Sequence, residues 1–240
     1  MSLQVVLLAG GKGTRLRPYT TVIPKPLMPV GELPILEILL RQLQRAGVRE
    51  AFLAVGHLAH LITAFFGDGE RLGVRLRYSR EDEPLGTAGP VGLLLDRLGD
   101  DFAIMNGDLL TTLDYGEAFA DHLQSGAAAT ICAYPREVRI DFGVLETDPT
   151  GALTRYVEKP THHFDVSMGI YMFKKAAVAD LLRPGVRLDV PDLVRALLDR
   201  GDRVRTHRAD CYWLDIGRPE DYEEAQEVFV RRRAEFLPGG

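Results

Sequence analysis

An α/β fold, a mostly parallel sheet between two helical layers with a small antiparallel elaboration, is predicted by three observations. Apolar strand-like runs alternate with helical segments through the first half of the chain. From Ala127 onward four strand-like stretches follow in close succession, a rhythm that suits antiparallel pairing. The 240 residues, 46% hydrophobic and 26% charged, can bury a sizeable core, and no linker, repeat or low-complexity tract divides them, so residues 1–240 read as one domain with an inserted lobe.

The elements follow in order. Gln4–Leu8 is an apolar strand. Leu36, Leu39, Leu40 and Leu43 recur at helical spacing after Pro34, and Gly47 stops them, so 34–46 is an amphipathic helix covering one sheet face. Ala51–Val55 is a buried strand, Leu58–Phe66 a helix, and Val74, Leu76 and Tyr78 alternate as a strand. Residues 87–98 read as helix despite Pro90 and Gly92. Phe102–Met105 is a strand running into Asn106, Gly107 and Asp108. Ligands of open α/β sheets sit beyond the carboxyl ends of strands, which makes Asp108 a site candidate. The later strands are 127–133, 143–146, 153–157 and 166–173, and helices return at 190–199 and 220–236. The last begins at Pro219 with acids in its first turn and ends near Arg231–Arg233, a polarity that suits the helix dipole. The arginines read as a solvated helix end, and His162 and His163 as solvent-facing loop residues without a role.

Charge and cysteine content exclude several classes. Twenty-nine Lys and Arg against 34 Asp and Glu give a net charge of -5, which offers no global attraction for nucleic acid or an anionic membrane. Any anion site must be local. Cys132 and Cys211 lie far apart in sequence and outside any paired motif, against a zinc site or disulfide framework. The apolar opening Val5–Ala9 is too short for a signal peptide's central region, and no run reaches the ~20 residues of a membrane span. The expected location is cytoplasmic, and the oligomeric state is open, a homo-oligomer included.

The strongest chemical signal follows the first strand: Leu8-Ala9-Gly10-Gly11-Lys12-Gly13-Thr14-Arg15-Leu16, then Pro24-Lys25-Pro26-Leu27. Three glycines let the backbone approach a ligand and direct several N–H groups to one point, a way to bind phosphate. Arg15 and Lys25 add positive charge, and the flanking prolines stiffen the segment that presents Lys25. A bare glycine turn with two surface cations explains neither both cations nor the proline brackets. The dinucleotide fingerprint needs a small residue where Leu16 stands, and the Gly-Lys-Ser/Thr of a P-loop is absent.

This opening resembles the signature of the sugar-1-phosphate nucleotidyltransferases, the nucleotide-sugar pyrophosphorylases. The resemblance continues through six further blocks in the family's order: 83–89 (EPLGTAG), 106–108 (NGD), 143–146 (GVLE), 158–160 (EKP), 168–171 (MGIY) and 213–217 (WLDIG). It implies a three-layer Rossmann-like mixed sheet of the nucleotide-diphospho-sugar transferase type, with a small antiparallel sugar-binding lobe. It implies a transferase joining a nucleoside triphosphate to a sugar-1-phosphate with release of pyrophosphate, and Mg2+ as cofactor. By the same resemblance Leu8, Gly10, Gly11, Gly13 and Thr14 cradle the triphosphate, with Glu81, Gly86 and Thr87 completing the nucleotide site. Arg15 neutralises the departing pyrophosphate, Lys25 contacts the phosphates at the reaction centre, and Asp108 and Asp215 hold the magnesium. Lys159 holds the sugar phosphate, and Asn106, Gly143, Glu158 and Ser167 serve the sugar.

Glu81 or Glu83 can accept from both guanine N1–H and its exocyclic amino group, whereas thymine offers one N–H, which favours GTP. The blocks at 84–89 and 189–193 look most like those of mannose-1-phosphate-type guanylyltransferases. Ser167-Met168-Gly169 stands where relatives carry Asn-Ala-Gly, so the acceptor is open among mannose, glucose, heptose and cyclitol phosphates. A dTTP-dependent enzyme and a noncatalytic nucleotide-sugar sensor are the alternatives. No C-terminal left-handed β-helix domain is expected.

Overall fold

The computed structural model of the chain describes residues 3–81 and 83–239; Asp82, inside the acidic segment around Glu81, lies outside them. Among the described residues thirteen strands are formed: β1 (Gln4–Ala9), β2 (Pro29–Val30), β3 (Leu33–Pro34), β4 (Glu50–Val55), β5 (Arg75–Arg80), β6 (Asp101–Asn106), β7 (Leu109–Thr111), β8 (Ala129–Arg139), β9 (Val144–Thr147), β10 (Leu153–Val157), β11 (Thr161–Lys174), β12 (Val204–Arg208) and β13 (Trp213–Asp215). The helices are α1 (Ile35–Arg45), α2 (Ala59–Phe66), α3 (Gly89–Gly92), α4 (Tyr115–Ser125), α5 (Lys175–Val178), α6 (Val190–Asp199) and α7 (Pro219–Phe236). Seven strands make one sheet in the order β12-β8-β11-β6-β1-β4-β5. β6, β1, β4 and β5 run parallel, β11 runs against both β6 and β8, and β12 is parallel to β8.

Period-two alternation divides the core into the three predicted layers. Val5 and Leu7 of β1, Leu53 of β4 and Met105 of β6 face one side, where they meet Leu36, Leu39 and Leu43 of α1 and Phe119 of α4. Val6, Phe52 and Ile104, one position along on the same strands, face the other side and pack on Val91, Val178, Leu193 and Leu197. A third apolar cluster joins Met28 and Val30 to Val228, Phe229 and Phe236 of α7, so the last helix braces the segment that follows Lys25.

Several expectations are corrected. The helix foreseen over 87–98 is only α3 and a 3-10 turn at Leu95–Arg97. Its start is diverted, because Ala88 and Gly89 donate to the Leu188 carbonyl, and Leu94 bonds back to Val91 in 3-10 fashion. Of the four strands expected in the elaboration, two belong to the main sheet as β8 and β11; only β9 and β10 form a separate hairpin. β8 and β11 pair beyond the sheet, from Ala133–Ser167 to Arg139–Thr161, and this ribbon and the hairpin form the lobe. His162 and His163 therefore lie in a strand, not a loop, and His163 Nδ1 is 3.3 Å from Glu137 Oε1. The terminal arginines are less free than expected: Arg232 binds Glu235 and Arg233 pairs with Glu32.

α4 was not foreseen, although its start carries a local signal. Asp114 accepts a hydrogen bond from Glu117 N at 3.0 Å, and Gly126 closes the helix at φ 62°. Asp114→Ala is expected to destabilise the chain by about 1 kcal/mol. Urea unfolding should show a lower midpoint at unchanged slope; an unaltered midpoint would refute the capping role.

Candidate functional site

The four parallel strands deliver the site at their carboxyl ends. β1 ends in the glycine loop, β4 in Gly56-His57, β5 in Glu81 and β6 in Gly107-Asp108. Gly107 N donates to Leu8 O and His57 N to Gly10 O, at 3.0 and 3.3 Å, so the loop ends are tied to one another. Leu8, Gly10, Gly11, Glu81, Gly86, Thr87, Asn106 and Asp108 line a single cleft of about 800 Å3, within the range of small-molecule sites. Lys12, His57 and Arg80, which the sequence reading assigns no role, also line it. Lys12 stands inside the glycine motif, and its charge was the signal that could have marked it.

A smaller cavity of about 240 Å3 shares Leu8, Gly11 and Asp108 with the cleft and adds Gly13, Thr14, Arg15 and Lys25. Gly13 adopts φ 59°, and its carbonyl accepts from Thr20 Oγ1 at 2.7 Å. A Cβ there would fall 2.8 Å from the Thr20 methyl, so the turn requires glycine on both counts.

Lys25 sits in a 3-10 turn closed by Leu27 N to Pro24 O and Met28 N to Lys25 O. Its ammonium is nearly buried, bonds Asp108 Oδ2 and lies 4.0 Å from Asp215 Oδ1. Strand register explains the meeting, because Asp215 of β13 is paired with Leu109 of β7, the residue after Asp108. Ile216 N also donates to Asp108 O at 3.3 Å. Burial, and then the Asp108 charge, push the Asp215 carboxyl above its ordinary value of 3.8, while Lys25 and Arg15 pull it down. Arg15 reaches the same turn, its guanidinium 3.2 Å from where a Cβ on Gly217 would stand.

At the base end, Glu81 Oε2 accepts from Leu85 N at 2.8 Å. Burial raises its pKa and that hydrogen bond lowers it. Thr87 reaches the cleft, but it is already engaged: its N–H donates to Asp189 Oδ1 at 3.0 Å, and its hydroxyl accepts from Val190 N at 2.8 Å.

The sugar-side residues form two groups. Asn106 lies at the end of β6 beside Gly169, where a Cβ would come within 2.5 Å of Asn106 Nδ2, and Ser167 Oγ donates to Tyr171 Oη at 2.9 Å. On the lobe, Tyr156 Oη donates to Glu158 Oε2 at 2.8 Å, and a Cβ on Gly143 would fall 2.5 Å from the same phenol oxygen. Lys159 Nζ is 4.0 Å from Glu158 Oε1, and both side chains are solvent-accessible. Gly143, Glu158 and Lys159 do not line the cleft.

The two predicted aspartates are thus brought together, and hard carboxylate oxygens are the donors a magnesium ion takes. Among the described residues no group of three or more His, Cys, Asp or Glu could hold a metal, and Asp108 and Asp215 form a pair. Ligands and waters supply the rest of such a shell. No described helix is long and apolar enough to cross a membrane.

The family described as nucleotidyl transferase matches residues 4–231. A UTP–glucose-1-phosphate uridylyltransferase of Synechocystis is 34% identical over 93% of this chain, and a mannose-1-phosphate guanylyltransferase of Mycobacterium tuberculosis is 33% identical over 95%. The chain spans 62% and 65% of those proteins' lengths. The structure of HddC from Yersinia pseudotuberculosis complexed with GMP-PN superposes with a TM-score of 0.73 at 26% identity, covering 95% of this chain and 99% of that one. With relatives named as sugar-1-phosphate nucleotidyltransferases and the motif series in place from the glycine loop to Asp215, the chain belongs to the nucleotidyl transferase family.

Proposed function

We propose that this chain transfers a nucleoside monophosphate from a nucleoside triphosphate, GTP by preference, to a sugar-1-phosphate, with release of pyrophosphate. The observation that carries the reading is the Lys25 ammonium set between Asp108 and Asp215 at the mouth of the glycine loop. A sugar-phosphate oxygen attacks the α-phosphorus, and the bond to the bridging oxygen of pyrophosphate breaks. Both partners are anions, so repulsion is the main obstacle, and positioning with electrostatic stabilisation is the principal means of catalysis. The attacking phosphate is already ionised near neutral pH and needs no protein base.

The residues divide this work. Backbone N–H groups of Gly10, Gly11 and Gly13 orient the triphosphate, Arg15 neutralises the pyrophosphate, and Lys25 holds phosphate oxygens at the reaction centre. Asp108 and Asp215 would hold the divalent cation, for which Mg2+ fits the all-oxygen donor set. Such an ion supplies neutralisation of phosphate charge when bound. Glu158 and Lys159 would take the sugar hydroxyls and the sugar phosphate on the lobe. Glu81 retains a carboxylate oxygen beyond its bond to Leu85 N, which can accept from a guanine edge.

Pyrophosphate release is expected only when triphosphate, sugar-1-phosphate and Mg2+ are present together. A panel of GTP, dTTP, UTP, CTP and ATP against mannose-, glucose- and related 1-phosphates reads both the activity and the base. Silence across the panel with measurable nucleotide-sugar binding would replace the transferase reading with that of a sensor; UTP or dTTP ahead of GTP would overturn the base assignment.

Asp108→Asn and Asp215→Asn should each lower turnover by about 100-fold or more. The Asp215 variant should also raise the melting temperature of the ligand-free chain at neutral pH. A carboxyl with a raised folded-state pKa binds its proton more tightly when folded, so stability falls as pH climbs from 3.8 through the raised value; the neutral amide removes that loss. Full turnover in both variants would refute the pair's role, and a lower melting temperature for Asp215→Asn would refute the electrostatic account.

A further inference from the structure

Asp221 stands in the first turn of α7 and lines neither the nucleotide cleft nor the smaller phosphate-side cavity. Its Oδ2 nevertheless accepts two successive backbone donors, Gly217 N at 3.0 Å and Arg218 N at 2.7 Å. A carboxylate makes both bonds stronger than a neutral acceptor would. Pro219, the next residue, has no N–H to offer and leaves Arg218 extended at φ -134° and ψ 164°, so the chain enters α7 through these two bonds.

Both donors belong to the turn that follows Asp215. Gly217 N is shared with Asp215 O at 2.8 Å, and Ile216 N donates to Asp108 O at 3.3 Å. The Ile216 side chain is buried in the apolar cluster of α7. The turn is thus fixed from Asp108 on one side and from Asp221 on the other.

The same turn is a seat for Arg15. An ideal Cβ on Gly217 would stand 3.2, 3.4 and 3.4 Å from Arg15 Nη1, Cζ and Nη2. With Cζ no farther away than Nη2, the guanidinium lies face-on to Gly217, in space that a side chain would take. Arg15 is exposed on the 3-10 turn Thr14–Leu16, and a long exposed side chain loses rotamer freedom when it binds a ligand. A flat seat removes part of that loss in advance.

Charge and position give opposite expectations for Asp221. It is an anion, and its charge is felt at Asp215 after burial and Asp108. Acting through charge alone it would repel pyrophosphate, and its removal would tighten pyrophosphate binding. Acting through the turn, its removal frees Gly217 and unsettles the seat of Arg15, and pyrophosphate binds more weakly.

We propose that Asp221 is a positioning residue for pyrophosphate: through the Gly217-Arg218 turn it sets the Arg15 guanidinium and Asp215 in one arrangement without touching a substrate itself. The proposal rests on the transferase reading and concerns the leaving group of that reaction. Isothermal titration of the full chain with inorganic pyrophosphate in excess MgCl2 tests it. Asp221→Ala is expected to weaken pyrophosphate about tenfold, as for one lost hydrogen bond. Asp221→Asn, equally uncharged but with an amide oxygen for the same two donors, should recover most of that loss. Gly217→Ala keeps Asp221 and its bonds but puts a methyl under the guanidinium, and should weaken pyrophosphate by a similar factor. In the reverse reaction, where pyrophosphate attacks a nucleotide sugar, the same variants should raise the pyrophosphate KM and leave the nucleotide-sugar KM unmoved. A residue that only caps α7 would lower the melting temperature of Asp221→Ala with pyrophosphate affinity unmoved. That result, tighter binding by Asp221→Ala, or equal losses in the Ala and Asn variants overturns the proposal and leaves the transferase reading standing. Should Asp221→Ala fail to fold, unaltered pyrophosphate affinity in Gly217→Ala overturns it alone. An unaltered chain that neither binds pyrophosphate nor releases it from any triphosphate overturns both.

Discussion

Two carboxylates held by one nearly buried ammonium are the constraint on which the site depends. Asp108 and Asp215 come from positions 107 residues apart, and only the antiparallel pairing of β7 with β13 brings them side by side. Burial, and then the charge of Asp108, push the Asp215 carboxyl above its ordinary value. Lys25 opposes that repulsion, and its own position is fixed by a proline-bracketed turn braced from behind by α7. Tyr222 and Gln226 of α7 both donate to Pro29 O, and Gly31 N returns a hydrogen bond to Gln226, so the brace is polar as well as apolar. The last helix thus holds the segment that follows Lys25 in place without lining the cleft.

The topology explains why two cavities meet at Asn106. On one side of β6 the neighbours β1, β4 and β5 are parallel, and their carboxyl ends surround the large cleft. On the other side β11 runs in the opposite direction, and its residues 167–171 pass the end of β6. A ligand crossing from one half to the other must pass the junction where strand direction changes, the place where crevices form in open α/β sheets. The glycines at 107 and 169 keep both sides of that junction close to Asn106, one pressed on Leu8 O and the other on the Asn106 amide.

What the sequence made legible follows from the range of the interactions involved. β1, α1, β4, α2 and α6 were readable because local period and stop signals agree with the tertiary burial seen in the two main cores. The residues Gly11, Gly13, Thr14, Arg15, Lys25 and Asp108, singled out from the sequence, line one small cavity. The break in the 87–98 segment was hidden because it is made by the distant Leu188 carbonyl, 100 residues away from Ala88. The sharing of β8 and β11 between sheet and lobe was hidden for a related reason, since each strand is buried along part of its length and exposed along the rest. Arg80 and His57 were not legible because a single polar residue at a strand end carries no period; only the convergence of strand ends makes them neighbours of the same cleft. α4 was a different case, with a local capping signal present at Asp114 and Gly126 and passed over.

The lobe holds one backbone feature that bears on function. Lys159 adopts φ 45°, a left-handed conformation costing roughly 1–2 kcal/mol for a residue with a Cβ. The turn between β10 and β11 could relieve that strain with glycine, as thirteen described glycines elsewhere in the chain do at positive φ. Glycine would also remove the ammonium. Strain kept in place of relief therefore speaks for the side chain rather than the turn, and it falls on the residue that the Glu158-Lys159-Pro160 block marks for the sugar phosphate. Glu158 beside it accepts a hydrogen bond from the Tyr156 phenol of β10.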